Sequence, residues 1–308
     1  MAGNGRETVA KMPLKKKIKE WGVSYLMVLP AIAFLLIFTI YPMGNIVRLS
    51  LYRGNALNPV KQFVGLDNYR QIFFVKTDFL TALKNTGIYT LAVVVLLLVL
   101  ALLFALWMQK ERKINNAAQV LIFTPHLIAS ISCAFIWTWL FNKNDYGFFN
   151  TLLGWFNIPA QNWLSDSDLA MGCVIVMNVW KAIGYNALII LASLKSIPAE
   201  INEAAMLDKA TPLNKFFKIT LPMLSPQLFM LLITITTGSF KVFDSMRIMT
   251  NGGPGDSTVT LSMYIYDYAF QRNNTLGIAS AAGVVLMVVL MLVTLLYFKG
   301  LEKKVHYQ

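Results

Sequence analysis

The sequence predicts an all-α polytopic membrane protein with six membrane-spanning helices. Two observations carry that expectation. The 308-residue chain is 56% hydrophobic and only 14% charged, where a soluble domain has about a quarter charged residues; its mean hydropathy is +0.57. The apolar residues also gather into six runs, at 23–46, 85–108, 120–141, 169–191, 222–248 and 277–298. Each is near the roughly 20 residues that a helix needs to cross a hydrocarbon layer about 30 Å thick.

The first run follows a basic tail, residues 1–22, that contains KMPLKKKIK. A signal peptide has a similar start, but its apolar part is about 7–15 residues and ends at a small-residue cleavage site. This run is longer and has no such site at its end, so it reads as a retained span; with its outer loop it occupies 23–84. The second is the clearest: GIYTLAVVVLLLVLALLFALWM, residues 87–108, carries no charge. The third holds His126 after Pro125, expected as a packed or interfacial residue rather than a ligand. The fourth contains Lys181, within NVWKAIGYNA. The fifth is the most polar and contains Lys241, Asp244 and Arg247, spaced three apart so that one helical face would carry all three and let them pair. The other reading of the two cations is that they snorkel to the outer interface. The sixth leads into a short basic tail, 299–308.

Lysine and arginine counts give the direction. The two tails and the second and fourth loops hold 16 of them, the three opposite loops 8, and the spans three. Cytoplasmic loops carry the positive excess, so both termini and the segment between spans four and five are expected in the cytoplasm. The six basic residues of the first outer loop run against that trend.

Several functions are disfavoured. The formal net charge of +12 belongs to loops that fix orientation, and no aromatic–basic interleaving marks a nucleic-acid site. Cys133 and Cys173 lie in apolar runs, outside any CxxC or Cys/His cluster, and read as buried free thiols with no metal. The phosphate cradle GxxxxGK[ST] does not occur.

The segment 200–222, EINEAAMLDKATPLNKFFKITLP, carries three acids and three lysines between two apolar runs. Pro198 at or near a first helical position and Glu200 at the positive helix end open one short helix. Thr211-Pro212 reads as an N-cap with a first-turn proline, opening a second helix that ends where Pro222 starts span five. Leu213, Phe216, Phe217 and Ile219 form its apolar side. Such a hairpin can rest on lipid headgroups. The small pair Ala204-Ala205 beside Glu203 instead permits the close approach of a protein surface.

Here the chain resembles the permeases of binding-protein-dependent ABC importers. Their cytoplasmic motif, EAA then D-G-A then I-x-LP, is matched by Glu203-Ala204-Ala205, Asp208, Ala210 and Ile219-Thr220-Leu221-Pro222. Lys209 stands at the glycine position; it must continue the helix or take φ > 0 at a cost. FVGLDNY from Phe63, TNGGP from Thr250 and YIYDYAF from Tyr264 narrow the likeness to the carbohydrate-uptake branch, whose relatives include maltose, multiple-sugar and glycerol-3-phosphate permeases.

The resemblance implies a type I importer permease fold, with a transmembrane domain over 81–298 and a coupling segment at 195–222. It implies that Glu203, Ala204, Ala205, Asp208 and Lys209 dock into a cytoplasmic ATPase, which moves the permease between inward-open and outward-open states. The implied partners are a second, similar permease, two ATPase subunits and an extracytoplasmic solute-binding protein, in the cell membrane of a prokaryote. No cofactor is expected on the chain itself; ATP and magnesium would be used by the partner ATPase, so the chain would not itself be an enzyme.

Ionisable residues within spans mark candidate functional positions. The expected substrate path comprises Trp180, Lys181, Tyr185 and Asn186 of span four with Gly238, Ser239, Phe240 and Asp244 of span five. Aromatic planes suit the C–H faces of a sugar, and polar groups suit its hydroxyls. In maltose-type relatives, positions matching Tyr185, Ala182, Gly238, Ser239 and Val242 line a sugar site; only Tyr185 and Ser239 keep hydrogen-bonding side chains here. Gly238 has a plainer reading as a point of close helix approach. The alternatives are a permease for glycerol-3-phosphate or another anionic polyol, suited to Lys181 and Lys241, and an ion-coupled secondary transporter with Asp244 as relay. The inverted repeats frequent in secondary transporters are absent from this sequence, and no side-chain set supports an intramembrane enzyme.

Overall fold

The computed structural model describes residues 14–301 apart from 56, 111, 145, 273 and 274. Most of the two basic tails therefore lies outside the described residues. Five uninterrupted helical segments are long and apolar enough to cross a membrane: Trp21–Leu49, Thr77–Met108, Ala170–Lys195, Pro212–Phe240 and Leu276–Gly300. A sixth crossing comes from Lys113–Leu127 and Ser130–Leu140 taken together. They are called spans one to six in chain order, the bent pair being span three.

Span three departs from the single helix expected over 120–141: its two halves meet at 101°. Pro125 sits in the last turn of the first half, and Ile128 and Ala129 are extended, with ψ of 134° and 138°. A proline in an otherwise helical run removes one backbone donor and crowds the preceding turn.

Span five also differs. Its helix ends at Phe240, and a separate short helix, Asp244–Met249, follows the break at 241–243. Lys241, Asp244 and Arg247 therefore do not share one helical face. Arg247 pairs instead with Asp267 at 3.2 Å. At its other end span five begins before Pro222. The short helix Pro212–Lys215 continues through a π-helical turn, Phe216–Thr220, into Leu221–Phe240. The second arm of the expected hairpin is thus the start of span five.

Spans two, four and five form the centre of the bundle, burying Val93, Leu97, Met177, Ile190, Leu224 and Leu231. Backbones meet closely where glycine allows it. A Cβ on Gly184 would collide with the carbonyl of Ile122, and one on Gly277 with the carbonyl of Tyr52. Span one stands apart: among the described residues none of its most apolar stretch is buried, and it meets span six at Ile46, beside Gly283.

The loops at the 250–275 end are strongly tied. Tyr52–Arg53 and Gln62–Phe63 pair as a two-stranded antiparallel ribbon. Asn68 Nδ2 donates to the carbonyls of Ser50 and Tyr52 at 2.8 and 3.0 Å. Asn85 Nδ2 donates to those of Asp256 and Val259 at 2.8 and 3.1 Å. Thr86 Oγ1 accepts from the Leu261 N–H at 2.9 Å.

Candidate functional site

Two regions hold the residues of interest. The first is a cavity of about 350 Å³ between spans two, four and five, within the 300–1,000 Å³ typical of ligand sites. Span four contributes Asn178, Ala182, Tyr185 and Asn186; span five contributes Gly238 and Ser239; the break after it contributes Lys241, Val242 and Phe243, and the following helix Asp244. Successive helical residues turn by about 100°, which places 178, 182, 185 and 186 on one stripe.

The lining is mixed in chemistry. Tyr185 stacks on His126, ring centroids 4.5 Å apart and planes 10° off parallel. Asn178 Nδ2 donates to Ser245 Oγ at 3.0 Å, joining span four to the short helix beyond the break. Among the described residues Asp244 makes no ion pair. A Cβ on Gly238 would meet nothing within 4 Å. Its small size opens the cavity and does not serve a close helix crossing.

Three of the expected path residues lie elsewhere. Trp180 faces away from the stripe, packs against Trp137 at 5.3 Å and borders an apolar groove. Phe240 is buried. The Lys181 ammonium donates to the carbonyl of His126 at 3.3 Å. That carbonyl lies in the last turn of the first half of span three, where intrahelical donors run out and the helix dipole is negative. Lys181 thus caps the bent span and holds the backbone that carries the His126–Tyr185 stack. Sequence reasoning missed Tyr89 and Asn178, which line the cavity; the seven-residue spacing of Asn178 to Tyr185 was the available signal.

The second region is the turn between spans four and five. The helix Ala199–Leu207 ends at Lys209, whose φ of 53° lies in the left-handed region. The Ala210 N–H bonds the Ala205 carbonyl, and the Lys209 N–H that of Met206, both at 3.0 Å. This is the paired bonding of a Schellman stop with lysine where glycine is usual. Thr211 Oγ1 then accepts from the Asn214 N–H at 3.3 Å, as its N-cap reading required. Glu203, Ala204 and Asp208 are exposed, whereas Ala205 is buried. Met206, Leu207, Leu213 and Phe217 are 73%, 84%, 71% and 60% exposed, so among the described residues these apolar side chains of the turn are uncovered.

At the opposite end Tyr268 donates to Asp78 Oδ2 at 2.6 Å, and Lys76 and Arg272 lie over its ring at 4.5 and 4.0 Å. Burial, then the hydrogen bond to Asp78, push the Tyr268 hydroxyl up to about 12. Burial pushes the Lys76 ammonium down; Asp78 opposes that and Arg272 adds to it.

Five long apolar helices with a bent sixth, and an exposed capped turn carrying Glu-Ala-Ala, define a polytopic membrane transport component. Residues 97–307 match the family described as binding-protein-dependent transport system inner membrane component, and the chain belongs to that family. It is 32% identical over 285 residues to the trehalose/maltose transport system permease protein MalF of Thermococcus litoralis, covering 92% of this chain and 95% of that one. It is 34% identical to the sn-glycerol-3-phosphate transport system permease protein UgpA of Escherichia coli, with the same coverage. Among solved structures it is similar to a bacterial alginate ABC transporter in complex with an alginate pentasaccharide-bound periplasmic protein. The TM-score is 0.81 at 26% identity, covering 92% of this chain and 95% of that one.

Proposed function

We propose that the chain is one of two permease subunits of an ATP-driven importer for a sugar or oligosaccharide. Its relatives carry names for trehalose/maltose, glycerol-3-phosphate and alginate transport, and two of the three cargoes are saccharides. The observation that carries the reading is the cavity lining: a stacked tyrosine with asparagine, serine and aspartate around it. An aromatic plane covers the C–H face of a sugar ring, while the amides, hydroxyl and carboxylate bond its hydroxyls. A phosphate would call for a cation in that lining; Lys181 is engaged by a backbone carbonyl, which leaves Lys241 alone.

In this reading both termini and the 196–222 turn face the cytoplasm. The exposed Glu203, Ala204, Met206 and Leu207 meet an ATPase, with Asp208 and Lys209 forming the stop that fixes their angle. The cavity is open at one side and six spans make half a pathway, so a second permease closes it. A solute-binding protein delivers cargo to the 250–275 end; the similar alginate transporter is in complex with an alginate pentasaccharide-bound periplasmic protein. ATP and magnesium are handled by the ATPase subunits, and the chain itself catalyses no reaction.

Uptake into sealed vesicles carrying the whole importer tests this. Accumulation of an oligosaccharide that requires ATP on the ATPase side is the expected result. Accumulation that follows a proton gradient without any ATPase would overturn it in favour of an ion-coupled carrier.

A further inference from the structure

We infer that His126 is a positioning residue of the cavity: its ring backs Tyr185 and fixes the one face that Tyr185 offers to a saccharide. The inference rests on reading the cavity as a saccharide site. Tyr185 and His126 belong to different spans, and their rings lie 4.5 Å apart and 10° off parallel. One face of Tyr185 is thereby taken. The residue is still 42% exposed, so its other face stays open to the cavity that it lines. Among the described residues the Tyr185 hydroxyl makes no hydrogen bond, which leaves it for a sugar hydroxyl.

Contacts made within one turn of span four hold this arrangement. The Lys181 ammonium donates to the His126 carbonyl at 3.3 Å. Gly184 brings its backbone against the Ile122 carbonyl, where a Cβ would collide. Tyr185 meets the His126 ring itself. Ile122 and His126 are one turn apart on the first half of span three, so that half is clamped to span four at two successive turns. Phe123 lies 5.7 Å from the same imidazole and steadies it. The bend makes the clamp possible. In a straight helix the carbonyl of residue 126 would accept from the N–H of residue 130; here Ile128 and Ala129 are extended, and Lys181 is the donor instead. Long side chains in a helix choose between two χ1 settings, and the stack favours the one that lays Tyr185 on His126. A recognition group has to be held within about 10–20° of its productive direction by packing around it. His126 supplies that packing from a span whose own side chain does not line the cavity.

Fluorine nuclear magnetic resonance of a fluorotyrosine placed at position 185 of the assembled importer reports the ring directly and needs no cargo. The wild type is expected to give one resonance displaced by the imidazole beneath it. H126A, and H126L, which fills the space without a flat ring, are expected to lose that displacement; H126F keeps an aromatic plane and is expected to retain it. Uptake of trehalose and of maltose from saturating binding protein, with ATP hydrolysis measured in parallel, gives the functional reading. H126A and H126L are expected to lower uptake per ATP about fivefold, near the worth of one aromatic pair, while H126F stays near wild type. Thermal melting of each variant separates loss of position from loss of fold. Because His126 acts through Tyr185, the double variant H126A/Y185A is expected to fall no further than Y185A alone. The inference is overturned if the resonance is unmoved in H126A and H126L, if H126F fails as they do, or if the two losses multiply in the double variant. An impaired Y185A beside a normal H126A overturns the inference alone, whereas a normal Y185A overturns the saccharide reading of the cavity as well. Should the wild type accumulate neither disaccharide, the resonance decides the positioning by itself.

Discussion

The two ends of the bundle are held in opposite ways. At the 250–275 end, side chains distant in sequence bind one another's backbones: Asn68 to 50 and 52, Asn85 to 256 and 259, Thr86 to 261. At the 196–222 end the order is local. One Schellman stop and one threonine cap shape the turn, and Met206 and Leu207 stand bare. The first end is tied together by long-range bonds, although it too exposes Leu66, Phe74 and Phe270. The second is shaped but uncovered, the condition expected of a surface that is finished only by a partner.

Substitutions can break or sharpen that contrast. The largest effect is expected from Gly277→Leu, whose side chain meets the Tyr52 carbonyl. Such overpacking costs about 3 kcal/mol, and the variant should melt well below wild type. Asn85→Ala strips two carbonyls of their donor; a loss of about 2 kcal/mol, read by denaturant or thermal unfolding in detergent, is expected. At the other end the effects shrink. Thr211→Ala removes one cap and costs about 1 kcal/mol. Lys209→Gly relieves the positive φ but loosens the unfolded chain, for a net gain of about 0.5 kcal/mol. A loss at the 196–222 end as large as that of Asn85→Ala would erase the distinction.

The sequence read well wherever structure is set by neighbours along the chain. The apolar runs located the spans, Thr211-Pro212 located a cap, and of the two conformations open to Lys209 at the motif's glycine position it adopts the positive φ. It read poorly where the chain is bent by something distant. Nothing apolar or polar about Val242 and Phe243 marks a break; Thr260 Oγ1, from the far loop, bonds the Val242 carbonyl at 3.1 Å within it. The role of Lys181 depends on a carbonyl 55 residues away, so its charge within a span pointed to solute when its bond is to backbone. The placement of Trp180 was within reach, since it lies two residues from Asn178 and so on the opposite side of the cavity stripe.

The central claim, that the bare turn is where another subunit drives this one, is tested most directly by measuring ATP-dependent uptake and thermal stability together for Glu203→Ala and Ala204→Leu in the reconstituted importer. Both residues are exposed, so melting should match wild type while uptake falls at least about tenfold, a normal size for coupling between sites. Uptake at the wild-type rate, or uptake that falls only in step with melting, would contradict the account.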